Sequence, residues 1–471
     1  MTSPYLTNIT PDSFSGLLFG LEGIRNTIVL MNGPTGCKFY HSATSDNQAP
    51  RQMEFDPLNY PELWYFGQPR IPCTYLDKRD YVYGSKEKLV EALRFLKANL
   101  PFDLLAIVNS PGAALIGDDL RKIADAEADG RPILTIETPG YSHHIWDGYS
   151  ALTARLIDAF SAAPSAAEAP GSASGTAKLT AKAPAATTQA AKSPSGNPAL
   201  PGSPAPSGRK VNLLGLSIFH KYYQGDLLEL ERLLRLCGAE PGCALCCNCS
   251  LDEIGRLHEA SLNLVVDSAY GMAAAKALKE RFGTPYIVCD GLPIGFRQTE
   301  ELAAQICGAL GTDPAPLITE SEKSRARSYI YLSRLNSLSG LPKGAKFAVH
   351  GTASQCLGYA RCLIQYFGMV ADSINVLDSA ESGSPAFQQL QRLLEAAGMA
   401  SALEKDVLRT DAELVFADGN IIAQLKARHH SFSGVEISLP SLGYTDVVPK
   451  THLGLSGGLL LCEQVINGLR F

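Results

Sequence analysis

The stretch Thr27-Ile28-Val29-Leu30-Met31, followed at once by Asn32-Gly33-Pro34-Thr35-Gly36-Cys37, decides the fold. A short apolar run bounded by a turn rich in glycine and proline is typical of a buried parallel strand. In open sheets of parallel strands, ligands sit in the crevice beyond the carboxyl ends of the strands. The loop that carries Cys37 is therefore the first place where chemistry is expected.

The same alternation of apolar strand, loop and amphipathic helix recurs along the chain in three blocks. A helix that begins near Ser85 places its apolar residues at helical spacing on one face, and Ser250 with Glu253 forms a capping-box signature. Strands and helices in alternation predict the α/β class, with three Rossmann-like doubly wound parallel-sheet domains. The further strands that we predict are 104–108 and 133–136, then 211–216, 262–266 and 286–288, and finally 346–350, 373–377 and 414–416.

A compositional break separates the first block from the second. Residues 161–209 are dominated by Ala, Pro, Ser, Gly and Thr and contain no aromatic residue. Such a segment buries too little apolar surface to offset its ordering entropy, so we expect a disordered linker. The predicted domains are 1–160, which carries Cys37 and Cys73, then 210–335 and 336–471.

Composition limits the classes of partner and compartment. The formal net charge is −6 and there is no basic cluster, which argues against nucleic-acid binding. We find neither a signal-peptide pattern nor an apolar run long enough to span a bilayer, so we expect a cytoplasmic protein with no membrane partner. Twelve cysteines in a reducing compartment favour metal or redox chemistry over disulfides. We interpret four of them as packing residues: Cys237, Cys307, Cys362 and Cys462.

The loop around Cys37 is not a nucleotide-binding loop. Its glycines have the wrong spacing for a Walker motif, and Cys37 stands before Lys38. A small residue such as Gly36 leaves room for a bulky group near the backbone, although a tight turn with an incidental thiol is the plain alternative. Cys73, on an irregular stretch, can meet Cys37 if its loop folds over the strand ends. Two thiolates are too few for a closed cubane site, so further ligands must come from elsewhere in this chain or from a partner.

The second block collects its unusual residues at predicted strand ends. His220 follows one strand, and Asp267 with Ser268 follows another. Between them lie Cys243, Cys246, Cys247 and Cys249, whose spacing matches neither a ferredoxin run nor a zinc ribbon. Metal binding by at least one of these four cysteines and plain packing both stay open. The third block adds a weak signal from its histidines, namely His350, His429, His430 and His452.

Taken together, these residues resemble the component 1 subunits of nitrogenase and its relatives, including the dark-operative protochlorophyllide reductases and cofactor-assembly scaffolds. The resemblance covers almost the whole chain outside the linker. It rests on 33–37, on 80–89, on Leu115-Ile116-Gly117-Asp118-Asp119, on 262–285 and on 452–469. These motifs are specific to the superfamily, and none identifies a substrate.

The resemblance implies roles for individual residues. Cys37 matches the first cysteine ligand of the family's inter-subunit cluster and Cys73 the second, while Ser110 stands where a third cysteine belongs. Ser110 as an oxygen ligand, a smaller cluster, and more ligands from the partner are the three alternatives. The cysteine that anchors the active-site metallocluster of nitrogenase falls at Asp267 or Ser268 here, and its histidine has no clear counterpart near Gly443. The standard cofactor, bound in the standard way, is therefore not expected. Either the cysteines at 243–249 or His220 would replace the missing ligands of a second metallocluster, or they line an organic-substrate site.

The implied function is that of one subunit of a two-component reductase. An ATP-dependent iron protein would deliver low-potential electrons through an iron–sulfur cluster, [4Fe–4S] or larger, which this chain would share with a homologous component 1 partner subunit. Such subunits pair into heterotetramers. The alternatives are a scaffold for metallocluster assembly and, from another class, a metal-free Rossmann-type binding protein or transferase.

Overall fold

The computed structural model describes residues 12–34, 36–37, 71–137, 143–161, 208–378, 384–428, 431–441, 443 and 445–469. The three predicted blocks each form one sheet, and all of the paired strands run parallel. Nearly all of the predicted linker, like the pair His429–His430, lies outside the described residues. Within the described residues, no helix is both long and apolar enough to cross a bilayer.

The first sheet has the order β1-β2-β3, with β1 at Thr27–Asn32, β2 at Leu104–Asn109 and β3 at Ile133–Ile136. The strands β1 and β2 are buried along their whole length, as continuous apolar runs require. The helix predicted near Ser85 buries its periodic apolar face on this sheet. The helices of this part of the chain are α1 (Ser13–Glu22), α2 (Asp80–Tyr83), α3 (Lys86–Asn99), α4 (Pro111–Ala114), α5 (Leu120–Ala126) and α6 (Ile145–Phe160).

The second sheet has the order β5-β4-β6-β7. Its strands are β4 (Lys210–Leu214), β5 (Glu240–Ala244), β6 (Leu262–Val265) and β7 (Tyr286–Val288). Because β5 and β6 lie on opposite sides of β4, the loops after β4 and β6 diverge and open a crevice at their carboxyl ends. The helices are α7 (Tyr223–Leu236), α8 (Leu251–Gly255), α9 (Ser268–Phe282), α10 (Phe296–Leu310) and α11 (Ala315–Ser339).

The third sheet has the order β11-β10-β8-β9, so its crevice opens between β8 and β10. Its strands are β8 (Lys346–Gly351), β9 (Val370–Val376), β10 (Leu414–Asp418) and β11 (Ser433–Ser438). The helices are α12 (Ala353–Arg361), continued by one π-helical turn at Cys362–Tyr366, then α13 (Pro385–Ala396), α14 (Gly419–Ala427) and α15 (Gly454–Gly468). Short 3₁₀ turns lie at Leu257–Glu259, Ala400–Leu403 and Val407–Arg409.

Two of the observed strands are absent from the sequence-based prediction. β5 reads Glu-Pro-Gly-Cys-Ala, and β11 reads Ser-Gly-Val-Glu-Ile-Ser. Both are edge strands that carry glycine and polar residues, and edge positions tolerate such residues because only one side is paired. The other strand predictions agree with the structure to within three residues at either end.

The three sheets share one continuous apolar core, to which Val29, Leu213 and Phe347 each contribute from a different sheet. The tightest seam in the first block joins α1 to α6. A Cβ on Gly148 would lie 1.8 Å from the carbonyl oxygen of Ser13, and one on Gly16 would lie 1.8 Å from that of Ile145. The two helices therefore approach each other backbone to backbone, which no larger residue permits.

We expect Gly148→Ala to lower the free energy of unfolding by about 1–3 kcal/mol, because the added methyl group forces the two helices apart. Gly308→Ala is the matched control: Gly308 also lies within a helix, but a Cβ there meets nothing within 4 Å. The control should be neutral or stabilising by up to about 1 kcal/mol, since alanine is the better helix former. Chemical denaturation of both variants measures the difference, and equal effects would contradict the close seam.

Candidate functional site

Polar side chains form a network at the carboxyl ends of β1 and β2. Asn32 and Asn109, which end these two strands, lie opposite each other in the register. The Asn32 amide donates to Asn109 Oδ1 at 2.9 Å and to Ser85 Oγ at 3.0 Å, and the Asn109 amide donates to Glu137 at 2.7 Å. Asp118 accepts from the backbone N–H and hydroxyl of Ser85. These buried hydrogen bonds fix the loops that carry Cys37, Cys73 and Ser110.

Cys73 lies on a segment that runs alongside β1, on the side of this strand that faces away from β2. Met31 donates its N–H to the carbonyl of Pro72 at 2.9 Å, and Thr74 donates to the carbonyl of Met31 at 3.1 Å. Thr74 also bonds Asn32 through its hydroxyl at 2.8 Å, which ties the segment into the strand-end network. Cys73 itself is fully buried in the apolar core.

Cys37, Ser110 and Tyr81 are neighbours at the carboxyl ends of β1 and β2, a place that we call the Cys37 edge. Cys37 is half-buried, and its backbone N–H donates to the carbonyl of Pro34 at 3.2 Å. Partial burial raises the pKa of Tyr81, the charge of a Cys37 thiolate raises it further, and a hydrogen bond with Ser110 opposes both. A Cβ on Gly33 would lie 2.4 Å from Ser110 Oγ, so glycine is required where β1 and β2 end side by side.

Ser110 already has a structural role at this edge. It is fully buried, and its hydroxyl accepts from the N–H of Ala113 at 3.3 Å to cap α4. Gly36 differs, since a Cβ there would meet no atom of the described residues within 4 Å.

Apolar side chains are exposed on two short segments next to the Cys37 edge. Tyr83 of α2 exposes 82% of its surface, and Leu115, which follows α4, exposes 88%. Tyr81 of α2 lies close to α4, because its hydroxyl would be 3.2 Å from a Cβ on Gly112. Large exposed apolar side chains of this kind mark interaction sites when they cluster.

No group of three or more His, Cys, Asp or Glu side chains among the described residues is arranged to hold a metal ion. The donors at the Cys37 edge fit an iron–sulfur cluster only as part of a ligand set, because such clusters are usually held by four cysteines. Cys37 is the accessible thiol, Cys73 is the buried one, and Ser110 offers an oxygen. The half-buried position of Cys37 beside Tyr81, which is 39% exposed, fits a group that two chains share.

The four cysteines of the second block lie in a buried seam between the first and second sheets. Gly23 packs so closely on this turn that a Cβ would lie 1.9 Å from the carbonyl oxygen of Cys246, and Arg25 donates its N–H to the carbonyl of Cys249 at 2.7 Å. The Cys243 thiol donates to Cys249, which lowers the pKa of Cys249. All four are at most 5% exposed, and none lines the cavity between the second and third sheets; metal binding by them stays a prediction.

A small cavity lies where the crevices of the second and third sheets face each other. Its volume of about 20 Å³ has room for one water molecule. Its polar lining comes from both sheets, with His220 and Asp226 on one side and Tyr359 and His452 on the other. The remaining lining residues are Leu216, Tyr222, Leu292, Gln355, Ile437 and Leu453.

His220 presents an unmatched donor at this cavity. The N–H of Ser217 donates to His220 Nδ1 at 3.3 Å, so the hydrogen of the neutral ring is on Nε2. That nitrogen is buried and has no hydrogen-bond partner among the described residues. Burial lowers the pKa of His220 to about 4, so the ring is neutral at pH 7. A ligand here would have to accept a hydrogen bond from Nε2.

The cavity is also lined by a second neutral imidazole and a carboxyl group. His452 is hydrogen-bonded on both nitrogens, to Tyr359 at 2.5 Å and to Gln464 at 2.7 Å, and burial lowers its pKa to about 4. Burial raises the pKa of Asp226 to about 7, while the Thr451 hydroxyl, which donates at 2.7 Å, opposes the rise. Asp226 can therefore exchange a proton near neutral pH.

Asp267 and Ser268 lie beside this cavity rather than on its lining. Asp267 caps α9 through the N–H of Ala269, and the Thr352 hydroxyl of the third block donates to it at 3.0 Å. The hydroxyls of Ser268 and Ser354 lie 3.1 Å apart. Asp267 and Ser268, which the resemblance matches to a metallocluster anchor, thus form a clamp between the second and third sheets.

The carboxyl group of Asp267 in this clamp should change its protonation state near neutral pH. Burial raises the pKa of Asp267 to about 7, and the nearby charge of Asp378 adds to the rise. A carboxyl group whose pKa is higher in the folded protein loses stability as the pH rises from about 4 through 7. Asp267→Asn removes this loss, so its stability relative to the native chain should rise by about 2 kcal/mol between pH 5 and pH 8. Denaturation at both pH values tests this, and parallel pH profiles would show that Asp267 does not titrate there.

Residues 13–470 match the sequence model of the family described as nitrogenase component 1 type oxidoreductase. The chain belongs to this family. A light-independent protochlorophyllide reductase subunit of Methylobacterium radiotolerans is 24% identical over 77% of this chain and 60% of its own length. The Rhodospirillum rubrum protein of the same name is 22% identical over 77% and 59%. The chain thus spans only about 60% of the length of these relatives.

The three-sheet architecture is that of a nitrogenase component 1 chain. A structure titled "Nitrogenase Cp1 at pH 6.5" superposes with a TM-score of 0.72 over 98% of this chain and 92% of the other, at 15% identity. The structure titled "Nitrogenase Cp1 at pH 5" gives 0.65 at 16% identity. At such identities the likeness establishes the fold alone, and the predicted fold class is confirmed.

Sequence reasoning missed part of this family member's site. Asn32 and Asn109 could have been found, because each of the first two predicted strands is followed directly by asparagine. Asp226 and Tyr359 gave no signal, since an acid in a first helical turn and a tyrosine in an apolar helix are ordinary. Asp226 and Tyr359 become neighbours only because the crevices of the second and third sheets face each other.

Proposed function

We propose that this chain is one subunit of a nitrogenase-like two-component reductase, which receives electrons through an iron–sulfur cluster shared with a partner subunit. The observation that carries the proposal is the grouping of Cys37, Ser110 and Tyr81 at the Cys37 edge, with exposed apolar side chains on the neighbouring segments. When bound, such a cluster supplies one-electron transfer at low potential.

The chain's own residues would divide the work between two places. Cys37 and Cys73 would hold the chain's share of the cluster, and the network around Asn32 would keep their loops fixed. An ATP-dependent iron protein would be the electron donor. Reduction consumes protons as well as electrons, and the cavity offers a titrating carboxyl group at Asp226 and a hydrogen-bond donor at His220. Together these features support a reductase of a small reducible bond.

The relatives named for light-independent protochlorophyllide reductase support the class of reaction. Their substrate is not proposed for this chain, because the chain is only 22–24% identical to them and spans about 60% of their length. A metallocluster scaffold would share the cluster and the fold, but it would pass its cluster on instead of turning over a substrate.

The test is anaerobic co-expression of the full chain with its component 1 partner, followed by iron and sulfide analysis and electron paramagnetic resonance. We expect iron and sulfide in the complex and a signal that responds to a reductant. An iron-free complex with the partner attached would overturn the proposal. Multiple turnovers with the iron protein and ATP would support a reductase, whereas stoichiometric transfer of a metallocluster to an acceptor would favour a scaffold.

A further inference from the structure

The longest helix among the described residues, α11, leaves most of its surface uncovered. Across its 25 residues it buries Leu317, Ser321, Ser328 and Leu335 against α10 and α15, along one stripe. Large apolar side chains lie on the outside: Tyr329, Ile330, Tyr331 and Leu338 are 67%, 66%, 59% and 80% exposed. An outer helix face is normally polar, so an apolar one marks contact with another molecule.

A ribbon on this outside has the spacing of a helix-packing seam. Arg327, Tyr331, Arg334 and Leu338 recur at i, i+4, i+7 and i+11, so they line one side of α11 over about 17 Å. Ile330 lies next to them, whereas Tyr329 lies on the other flank. Tyrosine and arginine are the residue types that most often carry the binding energy of protein interfaces.

Charge decides what can cover this ribbon. The guanidinium groups of Arg327 and Arg334 make no ion pair or hydrogen bond with any residue that the structure describes. Between 324 and 339 the chain has three arginines and no Asp or Glu. Burying unpaired arginines is costly, so an occupant must bring carboxylates. A second copy of this chain, presenting the same stretch, would bring none.

We propose that the ribbon Arg327–Tyr331–Arg334–Leu338 is a docking surface for a carboxylate-bearing face of the component 1 partner subunit. The inference rests on the proposed function for the existence of that partner. A protein occupant fits better than a nucleic acid, because three large apolar side chains, Ile330, Tyr331 and Leu338, accompany only two arginines on this side and the net charge is −6. The contact is separate from the Cys37 edge, since α11 packs on helices of the second and third sheets.

The test measures the mass and affinity of the complex between the full chain and the co-expressed partner subunit. Arg327→Glu with Arg334→Glu, and separately Tyr331→Ala, should raise the dissociation constant about tenfold or more. Added salt should weaken the native complex. Tyr329→Ala, on the same helix and similarly exposed, is the matched control and should leave the complex unchanged.

Three outcomes would overturn the docking surface. They are affinities unaffected by the ribbon variants, a native chain that purifies alone or only with copies of itself, and bound nucleic acid that the arginine variants release. Iron measured on the same samples keeps this result apart from the proposed function. If the complex contains iron and the variants do not weaken it, only the docking surface is rejected. If the complex contains no iron and the variants dissociate it, only the iron–sulfur cluster is rejected.

Discussion

Replacing Cys37 by alanine is expected to remove most of the iron and the resonance signal from the anaerobically purified complex. Cys37 is the half-buried thiol at the open edge of the first sheet, next to Tyr81 and Ser110. Thiolate ligation holds such clusters, and the other donors of this chain at the edge are a buried thiol and a hydroxyl that already caps a helix. Loss of one ligand from so incomplete a set leaves too few to retain the cluster.

The matched control is Cys307→Ala. Cys307 is also a cysteine, but it is 2% exposed in α10, and its thiol lies 3.8 Å from the carbonyl of Cys237. This variant should keep its iron and lose only about 1 kcal/mol of stability from packing. If the Cys37 variant kept the full iron content and signal, the assignment of Cys37 as a ligand would be wrong.

Replacing Glu229 by alanine is expected to lower the free energy of unfolding by about 3–5 kcal/mol, because it breaks a buried charge network. Glu229 is 4% exposed and accepts from the backbone N–H groups of Leu455 and Ser456 at 2.9 and 3.0 Å, which lie in the first turn of α15. It also pairs with Arg232 at 2.8 Å. The carboxylate thus caps a helix that lies more than two hundred residues further along the chain, and it holds α15 on α7.

The same network predicts a dependence on pH. Burial alone would raise the pKa of Glu229, but the hydrogen bonds from Arg232 and Ser456 outweigh it and lower the pKa. A depressed carboxyl pKa contributes stability above the unfolded value of about 4, and this contribution is lost as the pH falls through the folded pKa. The difference in stability between the native chain and Glu229→Ala should therefore shrink below about pH 4.

Glu231→Ala is the matched control for Glu229. Glu231 is on the same helix and also pairs with an arginine, Arg235 at 3.0 Å, but that pair is solvent-exposed. Exposed pairs contribute about 0–1 kcal/mol, so the control should change stability little. Denaturant titrations of both variants decide the matter, and similar losses would show that the buried cap on α15 is not the stabilising element.

Local patterns predicted the parts of the fold that local physics controls. The apolar face of α3, with Leu89, Ala92, Leu93 and Leu96, is buried as its spacing requires. Ser250 and Glu253 form the expected capping box on α8, and Asp119 caps α5. Its neighbour Asp118 instead accepts from Ser85, which precedes α3. The partner that Asp118 binds depends on how two loops pack together, and the spacing of residues along the chain does not encode that packing.

Sequence and tertiary structure thus determined different things about Cys37. The sequence alone determined that a thiol follows a buried strand on a glycine turn, because strand burial and turn chemistry depend on residues close together in the chain. Only the tertiary structure decided its neighbours, Ser110 and Tyr81. It also placed the four cysteines at 243–249 in a seam with Gly23 and Arg25, away from the cavity. The physical reason is that sheet order and the facing of crevices follow from long-range packing, and residues hundreds of positions apart supply the contacts that decide a site.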